Sequence, residues 1–241
     1  MPRARHSLAL TELRASSFPA FRDSIIAAEA RGAAHTLRSY PGYPRVPLPL
    51  PRRRPLVAFD AITLARRSAW RLADAQPAAK ALGRILHLGH GVTGPDGRGP
   101  APSSGNLQAV ELYLITLAAG WLPAGAYHYD RGGHFLSRLS ENGCREDVAP
   151  QAPSLRQIEG GGLLLVLVGD LGRSEAKYRE RAARFLLLEA GHVMQSLCLS
   201  AASVKHGVVP IGGYYEAALA ERLALPDGDV VLHAGILGAP R

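Results

Sequence analysis

The chain has 241 residues, 47% of them apolar, which is enough for one domain with a sizeable core and too short for two full domains. Its formal charge of +8 comes mostly from arginines dispersed along the chain, without the interleaved aromatic and basic residues of a base-stacking surface, so nucleic-acid binding is not expected. The chain has no run of about 18 uncharged apolar residues, no clear signal segment after Met1, and only two distant cysteines, Cys144 and Cys198. The expectation is a soluble cytoplasmic protein with no membrane span, disulfide framework or zinc cluster.

Residues 18–36 carry a weak helical pattern, and Tyr40-Pro-Gly-Tyr-Pro-Arg-Val-Pro-Leu-Pro-Leu-Pro-Arg52 is then kept extended by its prolines. Tyr40, Tyr43, Val46, Leu48 and Leu50 give this stretch enough apolar surface to lie against a body. Residues 1–55 therefore read as a docking arm and residues 56–241 as the domain proper.

Within the domain, periodicity predicts helices over 56–68 and 78–90, the second ended by Gly91. A Gly-, Pro- and Ser-rich loop over 91–104 leads to a β-rich run at 109–117. Strands at 126–129 and 134–139 flank Asp130-Arg-Gly-Gly133, read as a hairpin whose glycines supply positive φ. Residues 163–168, entirely apolar, read as a strand buried on both faces. Gly160, Gly161 and Gly162 precede that strand, whereas a phosphate-binding loop would follow one, so they are not read as such a loop. Phe185, Leu188, Met194, Leu197, Cys198 and Ala201 mark a long amphipathic helix over 178–204. Strands at 207–211 and 230–237 complete an α+β arrangement without regular βαβ alternation.

Three segments concentrate polar groups. Arg66, Arg67 and Ser68 offer planar guanidinium forks and a hydroxyl, the groups that hold a phosphate and a polyol chain, although arginines at a helix C-terminus also complement its dipole. Pro102-Ser-Ser-Gly-Asn-Leu-Gln108 packs two hydroxyls and two amides into one loop. Lys177 and Tyr178 sit side by side before the long helix. His87 and His90 lie three apart, but no third metal ligand follows at a sensible spacing, so they read as structural and no metal is expected. His128 and His134 flank the hairpin where they could face one another, and His192 reads as a packed helical residue.

Taken together these motifs resemble the FMN-dependent nitroreductase superfamily, whose members carry an R-R-S type segment and, one or two helices later, a P-S-S-x-N-x-Q type loop. Lys177-Tyr178, followed by Arg184-Phe-Leu-Leu-Leu-Glu-Ala-Gly-His192 and Gln195, is more specifically similar to the SagB-type branch, which oxidises azolines to azoles, as is the proline-rich Tyr43-Pro-Arg-Val-Pro-Leu-Pro49. The likeness covers roughly residues 40–241, on motifs that are individually short.

The resemblance implies a central, mostly antiparallel sheet flanked by helices, and a domain-swapped homodimer with two shared FMN sites. Arg66, Arg67 and Ser68 would hold the phosphate and ribityl oxygens. Pro102, Ser103, Ser104, Asn106 and Gln108 would reach a flavin across the dimer interface. Ile211, Gly212 and Gly213 would bring backbone N–H groups to the flavin N5 edge, and Arg241 would assist at the phosphate. Lys177 and Tyr178 would be the catalytic pair, acting on a heterocycle bound to a peptide or carrier, with oxygen reoxidising the flavin. The chain departs from the family at Trp70, where a basic residue is common, and at Gly212, where an acidic one is common. An NAD(P)H-dependent nitro or quinone reductase, and a non-catalytic flavin- or peptide-binding subunit, remain the competing activities.

Overall fold

The computed structural model describes residues 37–52, 58–95 and 97–241. The helical pattern at 18–36 and the expected arm-to-domain boundary lie outside the described residues. Seven strands form one sheet: β1 (Arg45–Pro47), β2 (Val110–Thr116), β3 (Ala126–Asp130), β4 (Phe135–Ser140), β5 (Leu163–Asp170), β6 (Gly207–Ile211) and β7 (Asp229–Gly238). They run in the order β1-β4-β3-β2-β5-β7-β6, every neighbouring pair antiparallel. Among the described residues, six α-helices accompany them: α1 (Phe59–Ala65), α2 (Ala79–His90), α3 (Arg145–Val148), α4 (Leu171–Tyr178), α5 (Ala182–Ala202) and α6 (Glu216–Arg222). This is the α+β fold expected from the pattern of elements.

The sheet has a core on each face because side chains alternate along a strand. Leu112, Leu114, Leu165 and Leu167 point to the side covered by α2 and α5, against Leu86, Val193 and Leu197. Tyr113, Ile115, Leu164, Val166 and Ile236 point to the other side, against Val148, Leu219 and Leu223. All seven residues of β2 are buried. The proline-rich arm joins this body at its edge: β1 pairs with β4, and the Leu48 N–H donates to the His134 carbonyl at 3.3 Å.

Several expectations need correction. The first helix ends at Ala65, so Arg66 stands in extended backbone (φ −62°, ψ 120°) and Arg66-Arg67-Ser68 follows the helix instead of ending it. Leu56, where that helix was expected to begin, lies outside the described residues. In the hairpin, the left-handed residue is His134 (φ 54°), which occupies the turn and not the strand, and neither Gly132 nor Gly133 has positive φ. Gly133 is needed for space: its N–H bonds Asp130 Oδ1 at 2.7 Å, and a Cβ there would stand 2.2 Å from the Phe135 ring. The expected helix over 178–204 is α5, which begins only at Ala182; Tyr178 instead ends α4, and Arg179 (φ 43°, ψ −125°) breaks the chain between the two helices. Asp170 caps α4 by accepting the Arg173 N–H at 2.9 Å. Among the described residues, the helical stretch Leu171–Ala202 is long and apolar enough to cross a membrane by length and composition, but half of its most apolar window is buried within the fold.

His128 and His134 do not face one another. His128 turns to Glu111, and His134 to Tyr129 and Pro49. His90 is buried and its ring N–H donates to the Val110 carbonyl at 2.9 Å. Desolvation, reinforced by the Arg131 charge, holds its pKa well below the ordinary 6.5. Between those two values the unfolded chain binds a proton that the folded chain rejects, so stability falls as pH drops below about 6.5. Urea unfolding should therefore show a lower unfolding free energy at pH 5 than at pH 7. His90→Gln, which carries no titrating ring, should flatten that slope by up to about 1.4 kcal/mol per pH unit.

Candidate active site

The Lys177-Tyr178 pair closes α4, and Arg179 breaks the helix immediately after it. On a helix, neighbours one residue apart diverge. Here both approach one residue of the loop before β2: a Cβ built on Gly105 would meet Tyr178 OH at 2.4 Å and Lys177 Nζ at 2.7 Å. Lys177 Nζ lies 5.6 Å from the centre of the Tyr178 ring, whose edge packs on Phe185 with centroids 4.5 Å apart. Tyr178 is buried, so the hydroxyl is presented from an apolar mount.

The loop that meets this pair has unusual backbone. Gly105, Asn106 and Gln108 have φ of 57°, 57° and 50°, a left-handed conformation that costs a non-glycine residue about 1 kcal/mol or more unless its surroundings hold it. They are held by buried polar groups. The Gln108 N–H donates to Ser103 Oγ at 2.8 Å, and its side-chain amide donates to Asn106 Oδ1 at 2.9 Å. Gln108 Oε1 accepts from Arg131, and the Gln108 carbonyl accepts from Arg173 at 2.7 Å. Glu189, buried in α5, binds the Ser103 hydroxyl and the Ser104 and Val110 N–H groups; desolvation raises its pKa in spite of them. Gln108 therefore braces the loop from within, one carboxamide bond to Asn106 and one to Arg131. Pro102, Ser103, Asn106 and Gln108 line a cavity of about 410 Å³ with Arg98.

Arg66, Arg67 and Ser68 lie elsewhere. The Arg66 charge acts on Cys198 near the end of α5, offsetting part of the desolvation that pushes this thiol up to about 11, and the Arg67 carbonyl lies beside Gly207. Glu189, under the loop, and Cys198 are nine residues apart on α5, about 13 Å at the helical rise. The two segments thus lie near separate points of one helix. Trp70, at the position of the missing basic residue, is 58% exposed.

Beyond β6, the Gly213 N–H donates to Ser154 Oγ at 3.0 Å and is already engaged. Gly212 has open space around it, and Ile211 is buried at the end of the strand. Arg241 bonds Glu159 Oε1 at 3.1 Å, and that carboxylate also draws Arg71 at 3.6 Å. His192 is exposed, not packed, with Nδ1 3.3 Å from the Pro102 carbonyl. No group of three or more metal-ligating side chains occurs among the described residues. Sequence reasoning missed Arg131, Arg173, Glu111 and Glu189, the charges beneath the loop. The signal was present for two of them, since Glu189 falls on the apolar stripe of α5 and Glu111 inside an apolar strand.

Gly105→Ala should be poorly tolerated, because the methyl would collide with both side chains at a left-handed φ. Urea unfolding is expected to show a loss of about 1–2 kcal/mol.

A family model described as "Nitroreductase family" matches residues 63–238. The protein named "Putative nitroreductase MJ1384", of Methanocaldococcus jannaschii, is 24% identical over 176 residues, which is 73% of this chain and 89% of that protein. The crystal structure of a protein described as a "putative nitroreductase" from Ralstonia eutropha JMP134 superposes with a TM-score of 0.71 at 22% identity, over 87% of this chain and 96% of that one. A chain from the E. coli microcin synthetase McbBCD complex with truncated pro-MccB17 bound gives a TM-score of 0.65 at 18% identity, over 99% of this chain and all of the other. The match over nearly three quarters of its length means that this chain belongs to the nitroreductase family, a family of flavin-dependent oxidoreductases.

Proposed function

We propose that the chain is an FMN-dependent dehydrogenase that oxidises an azoline or a related heterocycle carried on a peptide or carrier, with oxygen restoring the flavin. The observation that carries this reading is the convergence of Lys177 Nζ and Tyr178 OH on Gly105. Aromatising an azoline removes a ring proton as hydride departs, which calls for a base beside the substrate. Tyrosine has a free pKa of about 10, and an ammonium beside the phenolate stabilises the charged form. In this reading Tyr178 takes the proton and Lys177 holds the phenolate charge. The full-length likeness in fold to a chain of the E. coli complex that holds truncated pro-MccB17 supports a peptide-borne substrate.

The residues present fit FMN. Arg66 and Arg67 would meet its phosphate and Ser68 its ribityl oxygens, while the open surround of Gly212 leaves room for a ring to approach. When bound, FMN supplies the two-electron acceptor. Pro102, Ser103, Ser104 and Asn106 would come from a second copy, since this chain keeps its own loop about a helix-half away from its Arg66 segment. Gln108 would act by bracing that loop, Ile211 and Gly213 by fixing the backbone on either side of Gly212, and Arg241 by drawing Glu159 away from the phosphate side.

An apolar face supports the homodimer. Helix α1 buries none of its residues, with Phe59 69% and Leu64 70% exposed, and it packs beside α5, where Leu187 and Leu188 are 57% and 54% exposed. Such a surface is costly in water unless covered.

The purified protein is expected to show an oxidised-flavin spectrum. Lys177→Ala and Tyr178→Phe should keep that spectrum while lowering kcat for azoline oxidation roughly 100-fold or more. Unchanged turnover would remove the pair from the chemistry. Rapid bleaching by NADPH with no azoline oxidation would instead favour a nitro or quinone reductase, and a colourless protein that titrates no FMN would favour a binding subunit. Separately, Leu187→Glu combined with Leu188→Glu should convert a dimer to a monomer in sedimentation and weaken FMN binding at least tenfold; a monomer that holds FMN at full affinity would defeat the shared-site reading.

A further inference from the structure

We propose that Arg173 is a positioning residue that sets the Lys177-Tyr178 pair against the 103–108 loop, and that Arg38 of the arm steadies it through Asp170. The inference rests on the catalytic reading of that pair but is drawn from different contacts.

Arg173 lies one helical turn before Lys177 on α4, so the two share a face. Its guanidinium holds three acceptors at once. Nη1 donates to the Gln108 carbonyl at 2.7 Å, and Nη2 lies 3.1 Å from Glu111 Oε1 and 3.0 Å from Asp170 Oδ2. One bond thus ties the helix that carries the pair to the left-handed residue that closes the loop. The two ion pairs tie the same guanidinium to β2 and to the cap of its own helix. Glu111 is buried and its other oxygen is engaged, 3.1 Å from Nε2 of the fully buried His128, so this anchor has little freedom to move.

The arm enters at Asp170. Arg38 Nη2 lies 3.1 Å from the same Oδ2 that Arg173 uses, and Arg38 also forks onto Asp229. It further donates to Tyr113 OH at 3.2 Å, and Tyr113 OH is 2.7 Å from Tyr40 OH, so the arm is tied down twice. The contacts run without a gap from Arg38 through Asp170 and Arg173 to Gln108. A planar fork is required in the middle, because an ammonium is a point charge and does not span a carbonyl and two carboxylates in fixed directions.

This requirement separates positioning from stability. Arg173→Lys keeps a cation between Glu111 and Asp170 and should unfold at a urea midpoint close to that of the unaltered protein. Having lost the Gln108 carbonyl, it should lower kcat for azoline oxidation roughly tenfold or more with KM within about twofold. A readout independent of catalysis comes from 3-fluorotyrosine labelling, with the Tyr178 resonance assigned by Tyr178→Phe. That resonance should move in Arg173→Lys and Arg173→Ala, and by a smaller amount in Arg38→Ala, while Tyr214 on the opposite face stays in place. Should Arg173→Ala fail to fold, the other two variants decide the matter. A stably folded Arg173→Lys with unshifted Tyr178 resonance would overturn the role of Arg173, and an Arg38→Ala that moves only Tyr40 and Tyr113 would overturn that of the arm. If Tyr178→Phe itself leaves azoline oxidation intact, the catalytic reading fails while the resonance shifts still report whether Arg173 positions the pair.

Discussion

The structure depends on satisfying charge beneath one strained loop. Asn106 and Gln108 hold left-handed backbone, and a free loop of this sequence would relax out of it. What prevents this is a set of buried and half-buried groups whose hydrogen-bonding capacity is met largely by one another: Arg131 by the His90 carbonyl and Gln108, Glu189 by Ser103, Ser104 and Val110, and the half-buried Arg173 by Gln108, Glu111 and Asp170. Removing one member of such a set strands its partners in a medium that does not solvate them, at about 3–5 kcal/mol for a buried ion pair. The network is therefore a rigid mount for the loop, and rigidity is what a site needs when its reacting groups must stay within a fraction of an ångström.

Much of the fold was legible because the hydrophobic pattern and the sheet ask for the same thing. Residues 163–168 are wholly apolar because β5 sits at the centre of the sheet, between β2 and β7, and is buried on both faces. The helix 79–90 was found within one residue from its period and from Gly91. Where the reading failed, tertiary contacts had overruled local pattern. Leu171–Tyr178 has a low share of apolar residues, so its helical period was faint, and the break at Arg179 carries no glycine or proline to announce it. His134 takes the left-handed position beside two available glycines because its ring is held by Tyr129 on one side and the Pro49 carbonyl on the other.

The candidate site was legible as types of residue and not as an arrangement. Lys177, Tyr178 and the 103–108 loop emerged as separate motifs, and only the packing of α4 against that loop brings them together at Gly105. Gln108 shows the limit most clearly. An amide in a polar loop has the same sequence signature whether it faces a cavity or an arginine from below, and Gln108 does both.

The exposed face of α5 is apolar where solvent calls for polar side chains. A helix in a monomer that packs on one side needs polar residues on the other, yet α5 offers Leu187 and Leu188 outward, and beside it α1 offers Phe59 and Leu64. The same helix carries Glu189 under the loop near one end and Cys198 beside Arg66 near the other. If two copies meet antiparallel along this face, each loop is carried toward the other's arginines, and the apolar area covered and the site completed become one event. Under that arrangement flavin binding and association reinforce each other, because a ligand that binds only the paired form stabilises the pair by mass action. Under the same arrangement the strained loop would meet a partner surface only on association, so its mount within each chain would have to be built beforehand.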